Sequence, residues 1–194
     1  MKLEELKEQI ATYVENDPLA PKGSYPILQI STSAKLLIIG QAPGVRAQVS
    51  GLPFNDASGN RLRSWLNISR EQFYDKNLVA IVPMGFCYPG PDKYGYDKAP
   101  NIQHAKLWHK LLFDLMPNIE LTLLVGGYSQ KYYLGNKAKA TMTETLHYWR
   151  EYLPKYIVLP HPSWRNTGWL NKHTWFEKEL IPELRKRVQK ALSI

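Results

Sequence analysis

Tyr156-Ile157-Val158-Leu159-Pro160-His161-Pro162-Ser163-Trp164-Arg165-Asn166 is the stretch on which the reading of this chain turns. Its first part is an apolar run without polar alternation, the pattern of a strand buried on both faces. Its second part sets a histidine, a hydroxyl, an arginine and a tryptophan just past the strand's C-terminal end, with Trp169 close behind. In open α/β sheets that edge is where ligands bind. A second stretch has the same form: Leu36-Leu37-Ile38-Ile39 runs directly into Gly40-Gln41-Ala42-Pro43-Gly44. Two such loops, far apart in sequence, predict one active site at the edge of one sheet.

Outward from these stretches, short apolar β-rich runs recur at 35–39, 78–82, 121–125 and 156–159. Helical stretches are expected between them, over about 58–67, 102–115, 128–134 and 141–150, and after them over 174–191. Leu3, Leu6, Ile10 and Tyr13 recur at helical spacing and predict an amphipathic helix over 2–14, packed on the core. Alternation of helix and strand argues for an α/β chain, with helices on both sides of a parallel sheet. The whole of 1–194 is expected to be a single domain. The segment 88–100 is long, rich in Gly and Pro, and follows a strand. Such loops are often functional, and a plain connector is the other reading.

Composition narrows the function. The 194 residues suffice for a real core, and 44% hydrophobic with 22% charged residues is ordinary for a globular protein. A net charge of +8 favours polyanionic partners, nucleic acid first, although a solvated basic surface would give the same number. Cys87 is the one cysteine, which excludes an internal disulfide and a cysteine-built zinc site. No apolar run approaches a membrane span and the N-terminus does not read as a signal peptide, so a cytoplasmic protein is expected. His104, His109, His147 and His173 fall on expected helices at no metal spacing and are read as structural or surface residues.

Several residues could carry chemistry. The turn from Gly40 to Gly44 lets the backbone approach a ligand closely, but it matches neither a dinucleotide nor a phosphate-loop spacing. In Gly51-Leu52-Pro53-Phe54-Asn55-Asp56-Ala57-Ser58-Gly59, Phe54 could stack on a planar base and Asp56 could hold or activate water. Alternatively, Phe54 belongs to the core and Asp56 or Ser58 caps a helix. Val125-Gly126-Gly127-Tyr128-Ser129 takes a strand into a helix, where backbone amides could hold a phosphate or the glycines could serve close packing. His161, facing a cleft, could donate a hydrogen bond to charge developing on a leaving group.

Together these motifs resemble the uracil-DNA glycosylase superfamily over about residues 34–180. The stretch Gly40-Gln41-Ala42-Pro43-Gly44 is similar to its first catalytic motif, continued by Gly51-Leu52-Pro53-Phe54 and Ser58-Gly59. His161-Pro162-Ser163-Trp164-Arg165-Asn166 is similar to its second, notably in the single-strand-selective branch. The resemblance implies a three-layer α/β/α fold with a central four-stranded parallel sheet. It implies base flipping and hydrolysis of an N-glycosidic bond in DNA, without metal or other cofactor, by a protein expected to be a monomer. Gly40, Ala42, Pro43, Gly44, Phe54 and Pro83 would then line the base site, and His161, Asp56 and Gln41 would be the catalytic candidates. Gly126, Gly127, Ser129, Ser163, Trp164, Arg165 and Asn166 would contact DNA, with the loop 164–169 filling the gap left by the extruded base. Many members carry a carboxylate in the first motif, where this chain has Gln41 and Ala42; Asp56 is the substitute considered. Pro83 stands where members read uracil with Asn. The iron–sulfur branch uses four cysteines, so no cluster is expected here. These departures keep two alternatives open: a nucleic-acid-binding member that has lost the chemistry, and a hydrolase of small nucleosides or nucleotides.

Overall fold

The computed structural model describes residues 2–194. The four apolar runs form β1 (Leu36–Ile39), β2 (Val79–Ile81), β3 (Leu121–Val125) and β4 (Tyr156–Leu159). They make one all-parallel sheet in the order β2-β1-β3-β4, within a three-layer α/β/α arrangement. β1 and β2 are buried throughout, and β3 and β4 show only Thr122 and Tyr156 partly to solvent. Helices over both faces explain why these strands carry no polar alternation.

Helix α1 (Leu3–Glu15) buries Leu6, Ile10 and Val14 in the same core as the strands. After β1 come α2 (Val45–Ser50), α3 (Ala57–Leu66) and α4 (Arg70–Tyr74). A π-helical turn, Ala105–His109, leads into α5 (Lys110–Asp114) before β3. Then follow α6 (Gly127–Leu134) and α7 (Met142–His147) before β4, and α8 (Thr167–Lys172) and α9 (Ile181–Leu192) after it. Residues 27–29 run antiparallel beside β2, with paired bonds between Gln29 and Ile81, and so cover that sheet edge. Among the described residues no helix is long and apolar enough to cross a membrane.

Every strand and long helix expected from the pattern is present within a few residues. The short helices α2 and α4 were not expected. The segment 164–169 is not an open loop either: a 3-10 turn, Trp164–Asn166, passes directly into α8. Sheet order decides where the site lies. β2 lies on one side of β1 and β3 on the other, so the chain leaves β1 and β3 in opposite directions. The crevice at their C-terminal ends is the topological switch point.

Candidate active site

All four strand ends contribute to this crevice. β1 delivers Gly40 and Gln41, β2 delivers Pro83, β3 delivers Gly126, and β4 delivers His161. The first two segments are stitched together, since the amides of Met84 and Gly85 donate to the carbonyls of Gly40 (3.0 Å) and Gln41 (2.9 Å). Phe54 reaches back over β1: a Cβ placed on Gly40 would stand 3.2 Å from the Phe54 ring, tighter than ordinary packing. Phe54 holds the left-handed conformation, φ 54°, which is uncommon for a residue with a large side chain. Its ring meets Phe73 edge-on and remains partly exposed, so it is both core-packed and available to a planar ligand.

His161 is held from several directions. Across β3 it faces Gly126, which has a φ of +87° and no side chain to crowd the imidazole; a Cβ placed there would stand 3.6 Å from the His161 Cβ. Asn166 Nδ2 donates to the His161 carbonyl at 2.6 Å, and the Ser163 amide donates to His161 Nδ1 at 3.3 Å. Arg61, on α3, donates to the Ser163 carbonyl at 2.9 Å and to Thr167 Oγ1 at 3.1 Å. Burial holds the His161 pKa below its ordinary value, against the pull of the Asp56 and Asp97 carboxylates; the Arg165 cation acts with burial. The ring is therefore neutral near pH 7. With Nδ1 accepting from Ser163, its proton sits on Nε2.

The same tautomer occurs twice more, with a difference. His104 Nδ1 accepts from the Phe86 amide (2.8 Å), and its Nε2 donates to Asp17 (2.9 Å). His109 Nε2 donates to the Pro83 carbonyl (3.0 Å), and its Nδ1 accepts from the Tyr133 hydroxyl. Both side chains are buried, and the Phe86 ring lies against each of them. Both histidines are structural, one of the two readings made for them from sequence. Among the described residues, His161 alone of these three has an Nε2–H that no protein group accepts.

Other candidates divide. Asp56 is the N-cap of α3, its Oδ1 accepting from the Gly59 amide at 2.9 Å, and its charge also opposes the fall of the His161 pKa. Gln41, Ala42 and Gly44 are partly exposed at the crevice and Pro43 is buried. Pro83 is buried and its carbonyl is occupied by His109. Ser129 is corrected: it is fully buried and its hydroxyl donates to the Gly126 carbonyl, so it secures the start of α6 and meets no phosphate. Gly126 is buried against His161, leaving Gly127 as the exposed amide of that pair. Asn166 turns inward to His161 and does not point to a partner. Trp169 is corrected too: it stacks on His173, meets Trp175 and Phe176 edge-on and donates to Thr143 Oγ1, so Trp164, at 75% exposure, is the free aromatic of the turn. Arg165 lies over the Tyr96 ring, 4.7 Å from its centre.

Sequence reasoning missed Arg61, Asp97 and Tyr96. Arg61 lies on a helix with no motif, and only three-dimensional proximity shows its partners. The Gly- and Pro-rich character of 88–100 did mark the segment that carries Tyr96 and Asp97. Among the described residues no group of three or more His, Cys, Asp or Glu side chains is gathered as a metal site. A family model described as the Uracil DNA glycosylase superfamily matches residues 28–185, a span that includes every residue of this crevice.

Proposed function

This chain belongs to the Uracil DNA glycosylase superfamily, and on that ground we propose that it is a DNA glycosylase releasing uracil or another deaminated base. The observation that carries the reading is the His161 Nε2–H, neutral, fixed in orientation and without a protein acceptor. The target nucleotide would leave the stack and enter the crevice, at a cost of about a few kcal/mol. Phe54 would stack on the base. As the C1′–N bond breaks, its electron pair moves onto the base, and Nε2–H donates to the base oxygen where negative charge collects. A water oxygen then bonds to C1′ and loses a proton, the departing base anion takes up a proton in the net reaction, and the products are neutral free base and an abasic sugar. Gln41 and Asp56 are the side chains beside the crevice that could orient this water.

The net charge of +8 supports a polyanionic substrate over a small nucleoside. Exposed Gly127, Trp164 and Arg165, with partly exposed Ser163, lie on the rim where the strand would pass. The alternative of a binding protein without chemistry is favoured by two departures, the absence of a carboxylate at Gln41 and Ala42 and the presence of Pro83 where members carry Asn.

The test uses oligonucleotides bearing a single uracil, hypoxanthine or xanthine, with abasic sites revealed by alkali. Base release is expected, and His161→Ala should slow single-turnover cleavage by roughly 100- to 1,000-fold, the effect of removing a comparable oxyanion donor. DNA affinity should change little. No release from any substrate, with DNA binding intact, would establish the binding protein instead.

A further inference from the structure

Past β2, residues 90–98 fold into a small hairpin. Pro91 and Asp97 pair as an antiparallel bridge, and the Lys98 amide donates to the Gly90 carbonyl at 3.0 Å. The Asp92 carboxylate organises the tip by accepting from the amides of Tyr94 (2.8 Å) and Tyr96 (2.9 Å). This pinned backbone holds two tyrosines outward: Tyr94 is 71% exposed and Tyr96 54%. Each has a cation on its ring, Lys93 Nζ at 4.8 Å from Tyr94 and Arg165 at 4.7 Å from Tyr96. Arg165 joins the hairpin to the turn that carries Trp164. That turn is itself fixed by Arg61 and Asn166. The Asp97 carboxylate of the hairpin raises the His161 pKa against the effect of burial.

We propose that Tyr94, Tyr96 and Trp164, with Lys93 and Arg165, form a stacking surface for unpaired nucleotides flanking the target base. The inference rests on the glycosylase reading for its partner, DNA, and adds where and how the neighbouring nucleotides are held. A rigid loop that leaves a large aromatic ring in water forgoes burial unless a partner covers the ring. Aromatic rings interleaved with cations suit a single strand, whose bases offer their faces while the phosphates meet the charges. A duplex hides its base faces within the stack. The gap left by one extruded base admits one ring, not three separate ones. The surface therefore grips strand that is already unpaired, or that opens around the target.

Anisotropy titrations with undamaged fluorescent DNA, as a single strand and as the matching duplex, test this at several salt concentrations. Wild type should bind the single strand more tightly. Tyr94→Ala and Trp164→Ala should each weaken that binding by roughly 5- to 150-fold, the span of one lost stacking contact. Tyr94→Phe should preserve it. Lys93→Ala should lower the salt slope by about one, whereas Tyr94→Ala should leave the slope unchanged. Equal wild-type affinity for both forms, or Tyr94→Ala binding the single strand as wild type does, overturns the proposal. Neither measurement needs base release, so an inactive protein that passes it keeps the stacking surface. An active glycosylase that fails it keeps only the crevice.

Discussion

Acidification should weaken this fold through His109 in a way that can be isolated. The ring is buried, donates to the Pro83 carbonyl and accepts from Tyr133, so both nitrogens are committed in the neutral form. Burial pulls its pKa from the ordinary 6.5 down to about 4. An unfolded chain takes up this proton as pH falls through 6.5, while the folded chain resists until about 4. The contribution is thus complete above 6.5 and is lost progressively between 6.5 and 4. That gap converts, at roughly 1.4 kcal/mol per pH unit, to about 3 kcal/mol, a large part of a typical stability of about 5–15 kcal/mol. Urea unfolding followed by tryptophan fluorescence at about pH 7 and about pH 4 gives the loss directly. His109→Gln cannot titrate there and is expected to be less stable near neutrality, but to lose about 3 kcal/mol less on acidification. Other groups titrate in both proteins and cancel in the comparison. The same loss in wild type and His109→Gln would refute the assignment of a neutral buried imidazole.

Two further outcomes concern the crevice. Asp56→Asn retains an N-cap of similar quality, so its melting temperature should hold; a fall in cleavage rate of roughly 100-fold or more would mark Asp56 as a general base, and unchanged single-turnover kinetics would leave it the cap alone. For His161, cleavage should be insensitive to pH near neutrality and fall on an acid limb below 6.5, because protonated Nδ1 can no longer accept from the Ser163 amide; a limb at or above 6.5 would contradict the burial of this ring.

The sheet was legible because its strands are buried on both faces, which leaves unbroken apolar runs such as Leu36-Leu37-Ile38-Ile39. The loops that follow β1 and β4 were legible for the same reason: a strand's end is visible, and ligands gather past it. What remained hidden was each side chain's direction. Ser129 and Asn166 have the chemistry of phosphate ligands, yet both turn inward: Asn166 satisfies the His161 carbonyl, which the turn leaves without a ladder partner, and Ser129 donates to the Gly126 carbonyl, which also accepts the Gln130 amide. Trp164 and Trp169 are alike in sequence, but the turn into α8 exposes the first and packs the second. His104 and His109 carry no local sign of burial; their partners Asp17 and Tyr133 lie 87 and 24 residues away.

The His109 bond also bears on which base the crevice would accept. Pro83 has no amide proton, and its carbonyl already receives the His109 Nε2–H. The neighbouring amides of Met84 and Gly85 are given to Gly40 and Gln41, and that of Phe86 to His104. The end of β2 therefore presents no uncommitted side-chain or main-chain donor over 83–86 with which to read a base edge. Sites that hydrogen-bond a distinguishing polar group discriminate by about 10⁴–10⁵, whereas shape and apolar contact discriminate by roughly 10–200-fold. A base held by Phe54 and the His161 Nε2–H should be selected in the second manner. For an active enzyme, the expected result is that kcat/KM for uracil and for the other deaminated bases it releases falls within about 200-fold. The comparison uses oligonucleotides of one sequence differing only in the target base. A preference for uracil of about 10⁴-fold or more would mean that a polar reader lies elsewhere in the crevice, with the Gln41 side chain the first to replace.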